Sequence, residues 1–169
     1  TKSKISNMPY QYTGEGYNSL VQVDSDTFAL AYTGGLSKDG YISTLTISPD
    51  GQTITKVDTL EHDEIIGKYN SLVQVDSDTF ALAHTNPYSG GHITTFSISS
   101  DGQAITKLST LQHETNYGTR GTMLKVGSDT VAIAYYGGGG NGGIISTVTI
   151  GTGADLISVN KNINTSLSE

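Results

Sequence analysis

Residues 17–31, with the sequence YNSLVQVDSDTFALA, decide the fold because the same fifteen residues recur unchanged at 69–83, an offset of 52. A divergent third copy, TMLKVGSDTVAIA at residues 122–134, matches residues 71–83 at an offset of 51. Self-similarity at this period indicates a fold assembled from one repeated unit. Residues 1–169 are accordingly interpreted as a single repeat domain that comprises an N-terminal extra strand (1–16), module 1 (17–68), module 2 (69–119) and module 3 (120–169).

Each module is predicted to contain four antiparallel strands. Alternation of apolar residues with Ser and Thr excludes helix. Short turns such as Asp24-Ser25-Asp26 and Asp50-Gly51 join the first strand to the second and the third to the fourth. The longer connections then share the opposite end of every module, the long-loop end, where a functional site is expected. In module 1 the predicted strands are residues 20–23, 27–33, 41–48 and 53–60.

The predicted fold class is all-β, with three four-stranded antiparallel modules as β-propeller blades. Propellers have about 4 to 8 blades, so three modules do not close a ring. We expect two chains to dimerise into a six-bladed ring, with the N-terminal extra strand bridging the junction and removing an exposed strand edge. A β-trefoil or a β-prism is the alternative, since a trefoil also contains three units of four strands.

Composition excludes several classes of function. Nine Lys and Arg against 16 Asp and Glu give a net charge of −7 without a basic cluster, which argues against a nucleic-acid partner. No apolar run approaches the roughly 18 residues of a membrane-spanning helix, so membrane insertion is not expected. The chain has no Cys, which excludes thiol nucleophiles and Cys-based zinc sites. Counts of 23 Thr and 19 Ser indicate a surface of hydroxyl groups suited to neutral, hydroxylated ligands.

Catalytic and metal-binding patterns are weak, so we expect no enzymatic activity, no cofactor and no metal. His62 and His113 are equivalent in two modules, and repetition favours a binding role over catalysis, which needs its apparatus only once. Each could instead cap the end of its strand. Asp63 beside Glu64 is better explained as a solvated loop than as a glycosidase pair, whose carboxyl groups face each other across the scissile bond.

Tyrosine dominates the aromatic residues, with 10 Tyr against 3 Phe, and most of the Tyr fall near the long-loop end. A ring with a polar tip can stack on a sugar while neighbouring amides and carboxylates bind its hydroxyl groups. Packing between blades is the other expected use of these rings. The predicted ligand-binding residues are Tyr17, Asn18, Tyr32, Asp39, Tyr41, His62, Asp63, Tyr69, Asn70, His84, His92, His113, Tyr117, Arg120 and Tyr135.

The phrases SLVQVDSDTFALAY and DGYISTLTISPDG resemble repeats of secreted bacterial and marine-invertebrate proteins. The predicted architecture resembles small β-propeller lectins of the sponge and horseshoe-crab tachylectin type. The resemblance implies a secreted, multivalent haemagglutinin that binds N-acetylated amino sugars such as N-acetylglucosamine on glycans. Weak sites repeated on one surface would act through avidity. The alternative is a structural or protein-interaction propeller that binds no sugar.

Overall fold

The computed structural model describes residues 17–115, 118–138, 142–151 and 157–164, and these residues form β-strands joined by turns. The N-terminal extra strand predicted at residues 1–16 lies outside them. Within the described ranges, no helix is long and apolar enough to cross a membrane. The strands are β1 (Ser19–Gln22), β2 (Thr27–Gly34), β3 (Asp39–Ile47), β4 (Ile54–Asp63), β5 (Lys68–Gln74), β6 (Thr79–Asn86), β7 (Gly90–Ile98), β8 (Ile105–Glu114), β9 (Thr119–Lys125), β10 (Thr130–Tyr136), β11 (Gly143–Ile150) and β12 (Ile157–Asn164).

Consecutive strands pair antiparallel into three sheets of four strands each: sheet 1 is β1 to β4, sheet 2 is β5 to β8 and sheet 3 is β9 to β12. The prediction of four-stranded antiparallel units is confirmed. Strands β2 and β3 extend further toward the long-loop end than predicted, because Gly34 pairs with Asp39 at the end of their hairpin. Residues at matching places in the three sheets are called equivalent below.

Local turn chemistry explains the hairpins. Asp50 Oδ1 accepts hydrogen bonds from Ser48 Oγ (2.7 Å) and from the backbone N of Gln52 (3.0 Å). Gly51 completes this turn at φ 69°, in the left-handed region that glycine adopts at little cost. Residues 99–103 of sheet 2 repeat the arrangement, with Asp101 as the acceptor. The Asp-Gly signal in the sequence therefore corresponds to two real turns.

The core lies between the sheets. One cluster joins sheets 1 and 2 around Phe80 and Phe96, and the other joins sheets 2 and 3 around Val131 and Ile133. All four side chains are fully buried. Burial of this much apolar side-chain area between sheets is the main stabilising contribution, at about 1.5 to 3 kcal/mol for each large side chain.

The first strands of the sheets, β1, β5 and β9, lie side by side. Two equivalent hydrogen bonds connect them: Leu72 N donates to Ser19 Oγ, and Met123 N donates to Ser71 Oγ, both at 2.9 Å. These strands therefore form the inner edge of the stacked sheets, and their first residues converge at the long-loop end.

Candidate functional site

A pocket opens where the inner strands converge, and we call it the axial pocket. Its volume is about 480 Å³. Tyr17, Tyr69 and Arg120 line it from equivalent positions of the three sheets. The repeat thus places two phenol rings and one guanidinium group in the axial pocket. The other lining residues are Asn18, Asn70, Gly121 and Thr122.

Two of these equivalent residues have a strained backbone. Tyr69 has φ 55° and Arg120 has φ 57°, the left-handed region that bulky side chains rarely adopt. Strain of this kind persists where the surrounding structure enforces it and is concentrated at functional sites. Its repetition in β5 and β9 aims both side chains into the axial pocket.

Asn70 holds the wall of the pocket together. Its Nδ2 donates to the carbonyl oxygen of Tyr17 at 2.9 Å, and to Gly67 O at 3.3 Å and Thr33 Oγ1 at 3.4 Å. The rings of Tyr17 and Tyr69 meet with centroids 4.1 Å apart and planes at 51°. The side chain of Asn70 is buried. Sheets 1 and 2 are therefore locked together at the point where they present their Tyr rings.

Arg120 is the charged member of the described pocket lining. A guanidinium carries five N–H donors in a planar fork and binds carboxylates, phosphates and developing oxyanions. Two Tyr rings beside it offer apolar faces with polar tips. This combination suits a ring-shaped, hydroxylated ligand with a carbonyl or anionic oxygen.

All four histidines lie in a second region, the histidine seam, which consists of His62, His84, His92 and His113. The ring of His84 is 4.7 Å from that of His62 and 5.6 Å from that of His92. Burial lowers the pKa of His62 to about 3 and that of His113 to about 4. Burial also lowers the pKa of His84 and His92. The seam is therefore neutral at physiological pH.

Within the seam, Thr94, His84 and Asp63 imitate a nucleophile, a base and an acid. His84 Nε2 lies 3.0 Å from Thr94 Oγ1, and His84 Nδ1 lies 3.6 Å from Asp63 Oδ2, beyond hydrogen-bond distance. Thr94 is fully buried, so its hydroxyl cannot reach a substrate. Asp63 instead accepts hydrogen bonds from the backbone N of Ile65 and Ile66 in the following loop.

The repeat shows that the His84 contact is structural. Tyr32 is equivalent to His84, and its hydroxyl lies 3.3 Å from Ser43 Oγ. Tyr135, the third equivalent, accepts a hydrogen bond from Ser146 Oγ at 3.3 Å. Each sheet therefore joins its second and third strands by one aromatic or imidazole group. Packing between blades, the other predicted use of the Tyr rings, is seen for Tyr135, which belongs to the core cluster between sheets 2 and 3. The contacts of Tyr32 with Ser43 and Tyr41 lie within sheet 1.

Three of the remaining predicted residues, Tyr32, Asp39 and Tyr41, lie together at the long-loop end of sheet 1. Tyr41 stacks on Tyr32 with centroids 5.7 Å apart, and Asp39 is buried beside the long-loop end. Tyr117 lies outside the described residues. The structure thus brings Tyr17, Asn18, Tyr69, Asn70 and Arg120 together in the axial pocket. Four other predicted residues line a second cavity of about 490 Å³, beside Lys107: His62, Asp63, His84 and His92. In the described ranges, no group of three or more His, Asp or Glu could hold a metal ion.

Sequence reasoning missed the glycines that make room for the seam. A Cβ added at Gly40 would overlap the His62 ring, and one added at Gly91 would lie 2.6 Å from His113 Nε2. The sequence does contain a signal for these contacts. Gly40 and Gly91 are equivalent to each other in the repeat, and so are the histidines that they contact, His62 and His113. Gly121 and Thr122 were missed as pocket lining for a different reason, since neither has a chemically distinctive side chain.

Comparison with known proteins supplies the family. The family model described as Lactonase, 7-bladed beta-propeller matches residues 2–150. No curated protein matches the sequence. Among solved structures, a protein assigned as a 6-phosphogluconolactonase from Bacteroides fragilis NCTC 9343 is similar at TM-score 0.62 and 17% identity, over 85% of this chain and 38% of that one.

Two further solved structures share the fold. A single-site mutant of the NanB sialidase from Streptococcus pneumoniae has TM-score 0.63 and 16% identity, over 88% of this chain and 23% of that one. The periplasmic gluconolactonase PpgL of Pseudomonas aeruginosa has TM-score 0.52 and 11% identity, over 90% of this chain and 58% of that one. The present chain therefore spans less than two thirds of each of these proteins.

These findings confirm a β-propeller and remove the β-trefoil and β-prism alternatives. They also correct the functional prediction. The expectation of a non-enzymatic, carbohydrate-binding lectin or haemagglutinin is wrong, because the matched family and two of the similar structures are lactonases. The physical reason for the error is that Tyr rings and amides suit any hydroxylated ring ligand, whether it is bound or turned over.

Proposed function

Because the chain belongs to the lactonase family of seven-bladed β-propellers, we propose that it forms part of an enzyme that hydrolyses a sugar-acid lactone in the axial pocket. Gluconolactonase and 6-phosphogluconolactonase among the similar structures support this class of substrate. The observation that carries the proposal is Arg120, which replaces the Tyr of the other two repeats and enters the pocket on a strained backbone.

Arg120 is proposed to bind the carbonyl oxygen of the lactone. Attack of water on the carbonyl carbon forms a tetrahedral oxyanion, and the guanidinium stabilises that charge as it develops. The ring C–O bond then breaks. Of the two protons of the attacking water, one goes to the former ring oxygen and the other to solvent, and the product is a hydroxy carboxylate. Preorganised donors of this kind contribute about 10²- to 10³-fold in rate.

Tyr17 and Tyr69 are proposed to orient the substrate. Their rings form one surface because they meet at 4.1 Å, and a lactone ring can pack against it with its hydroxyl groups directed toward solvent and the phenol tips. Asn70 keeps that surface in place through its hydrogen bond to Tyr17 O. Holding the carbonyl carbon near Arg120 lowers the entropic part of the barrier.

Completion of the ring is a further part of the proposal. The described pocket is lined by three sheets, and the six-bladed dimer predicted from the sequence would surround the axis with the same residues from a second copy. The family description names seven blades, which would need further blades from another source. The mass of the protein in solution separates the two arrangements.

The experiment that tests the proposed activity is titration of the released acid at constant pH. δ-Gluconolactone is compared with δ-valerolactone, which has the same ring without hydroxyl groups, and each uncatalysed rate is subtracted. The proposal predicts acceleration of δ-gluconolactone and a weaker effect on δ-valerolactone. Absence of acceleration for both substrates would overturn it.

A further inference from the structure

A chain of hydroxyl groups leads from His84 to the second cavity, which lies between sheets 1 and 2. Thr94 Oγ1 lies 3.0 Å from His84 Nε2 on one side and 3.0 Å from Thr110 Oγ1 on the other. Thr94 is fully buried, but Thr110 is exposed and lines the second cavity. The Thr110 hydroxyl is therefore accessible to a ligand in the cavity and is connected, through Thr94, to a buried imidazole.

Sheet 1 contains the equivalent chain with a different end. Ser43 Oγ lies 2.8 Å from Thr59 Oγ1 and 3.3 Å from the hydroxyl of Tyr32. In both sheets the chain joins neighbouring strands, so this much of it is structural. A phenol, however, has no ring nitrogen that can take up a proton. Of the two chains, the one in sheet 2 ends on a base.

The other nitrogen of His84 faces a carboxylate. Among the described residues, His84 Nδ1 has no hydrogen-bond partner, and Asp63 Oδ2 lies 3.6 Å from it. Proton transfer along the chain requires Thr110 to donate to Thr94 and Thr94 to donate to Nε2, which leaves the proton of the neutral imidazole on Nδ1. An imidazolium formed at this position is stabilised by Asp63, and contacts of this kind often shorten when a substrate is bound.

Lys107 brings a positive charge to the same cavity. Its Nζ donates to the carbonyl oxygen of His62 at 3.0 Å, which fixes the ammonium group at the cavity wall. A fixed cation stabilises the oxyanion that forms when a carbonyl carbon is attacked. Glu61 and Glu64 also line the cavity and repel ligands that carry a carboxylate, so the chemistry suits a neutral carbonyl compound.

We propose that Thr110 is the nucleophile of a second active site, which hydrolyses small neutral esters in the second cavity. This activity is separate from the proposed lactone hydrolysis in the axial pocket. Thr110 Oγ1 attacks the carbonyl carbon of the ester and forms a C–O bond. At the same time the proton of Thr110 passes to Thr94, and the proton of Thr94 passes to His84 Nε2.

The reaction is completed in two further steps. The bond from the carbonyl carbon to the leaving alcohol or phenol oxygen breaks, and Thr110 keeps the acyl group. His84 gives its extra proton to the leaving oxygen or to solvent. Water then attacks the acyl carbon, the bond to Thr110 Oγ1 breaks, one proton of the water returns to that oxygen, and the carboxylic acid leaves.

Burial of the imidazole determines which esters react. It lowers the pKa of His84, so the ring is neutral and able to accept a proton at physiological pH, but it is a weak base. A weak base suits leaving groups that depart without a proton, so aryl esters should react faster than alkyl esters. The titratable and charged groups around His84 are His62, Asp63, His92, Lys107 and His113.

The probe for this activity is p-nitrophenyl acetate, whose coloured product is followed after subtraction of the uncatalysed rate. We expect a burst of one p-nitrophenolate per chain and an acetyl group that peptide mapping by mass spectrometry locates on Thr110. Absence of a burst, or acetyl groups on other residues alone, would overturn the proposal.

Thr110→Val removes the nucleophilic hydroxyl from an exposed position and keeps the branched shape of the side chain. It should lower the burst rate constant about 10²-fold or more. Thr59→Val is the matched control, because it removes the equivalent hydroxyl from the chain that ends on Tyr32, and its burst should equal that of the parent protein. Equal burst rate constants for Thr110→Val and the parent protein would contradict the assignment of the nucleophile.

His84→Tyr removes the base and installs the residue that sheets 1 and 3 have at this position. The burst rate constant of the parent protein should change little between pH 6 and pH 8, where His84 is neutral. That of His84→Tyr should be about 10²-fold lower at pH 7 and should rise about tenfold per pH unit, because hydroxide replaces the lost base. A parent-like rate and pH profile for His84→Tyr would overturn the relay. δ-Gluconolactone turnover is measured separately, so a failure of either activity is recognised independently of the other.

Discussion

Asn70 Nδ2 donates a 2.9 Å hydrogen bond to the carbonyl oxygen of Tyr17, 53 residues earlier in the chain, and so joins sheet 2 to sheet 1 at the mouth of the axial pocket. Gly121 is the equivalent of Asn70 in sheet 3, and it has no side chain to make such a bond. The junction of sheets 1 and 2 is therefore the more tightly fixed wall of the pocket.

Asn70→Ala should lower the free energy of unfolding by about 1 to 3 kcal/mol, because buried carbonyl oxygens lose their donor. Asn70→Asp should be at least as destabilising, since a buried carboxylate would face the oxygens of Tyr17 and Gly67. Urea unfolding followed by circular dichroism measures both. Gln52→Ala, at an exposed turn, is the control and should remain within about 0.5 kcal/mol of the parent protein. A neutral Asn70→Ala would refute the locking role.

The strained backbone at Arg120 predicts that a Gly variant is more stable than an Ala variant at this position, the reverse of the usual order. At φ 57°, Arg120→Gly should be more stable than Arg120→Ala by about 1 kcal/mol, because glycine adopts this region freely. Leu124, an exposed residue of the same strand, provides the opposite case, in which Ala should be more stable than Gly. The melting temperatures of the four variants give the order of stability at each position. The same order at both positions would show that strain at Arg120 is negligible.

The histidine seam predicts loss of stability in acid. In the folded protein burial lowers the pKa of His62 to about 3 and that of His113 to about 4, whereas the ordinary value is 6.5. Between these values the unfolded chain binds more protons than the folded one, so the free energy of unfolding is fully retained above about pH 6.5 and falls as the pH is lowered toward 3 to 4. Urea midpoints at pH 8, 6, 5 and 4 should record this fall.

His84→Tyr is the matched variant for the seam, because Tyr occupies the equivalent position in sheets 1 and 3. The new hydroxyl can replace the bond to Thr94, so stability at pH 8 should stay within about 1 kcal/mol of the parent. Its acid-induced loss of stability should be smaller, since one buried imidazole is gone. An unchanged pH profile would show that His84 does not contribute to the pH dependence.

Gly40→Ala should cost about 1 to 3 kcal/mol, because the added methyl group overlaps the His62 ring. In a His62→Ala background the same substitution should cost much less. Such a double-mutant cycle isolates the contact from other effects of the glycine. Equal costs in both backgrounds would show that the loss of stability does not arise from contact with the His62 ring.

The fold could be predicted because one short sequence motif is repeated and each part of the motif favours a particular local structure. Asp-Gly at residues 50–51 fixes a turn, and alternation in residues 41–48 fixes a strand with one buried face. Secretion and the role of the extra strand at residues 1–16 stay predictions.

The candidate site was predicted only in part. The equivalence of Tyr17, Tyr69 and Arg120 is visible in the sequence, but their convergence depends on how β1, β5 and β9 are arranged at the inner edge. The histidines were predicted to bind ligand because they are repeated. In the structure, His62 and His113 fill the space left by Gly40 and Gly91. Binding and turnover of a hydroxylated ring use the same residue types, so composition did not separate a lectin from a lactonase.

The most direct test of the proposed chemistry is kcat/KM for δ-gluconolactone with the parent protein, Arg120→Ala and the control Thr55→Ala, at an exposed position of β4. We predict a value for Arg120→Ala about 10²-fold or more below that of the parent, and an unchanged value for Thr55→Ala. Equal kcat/KM for Arg120→Ala and the parent protein would contradict lactone hydrolysis in the axial pocket.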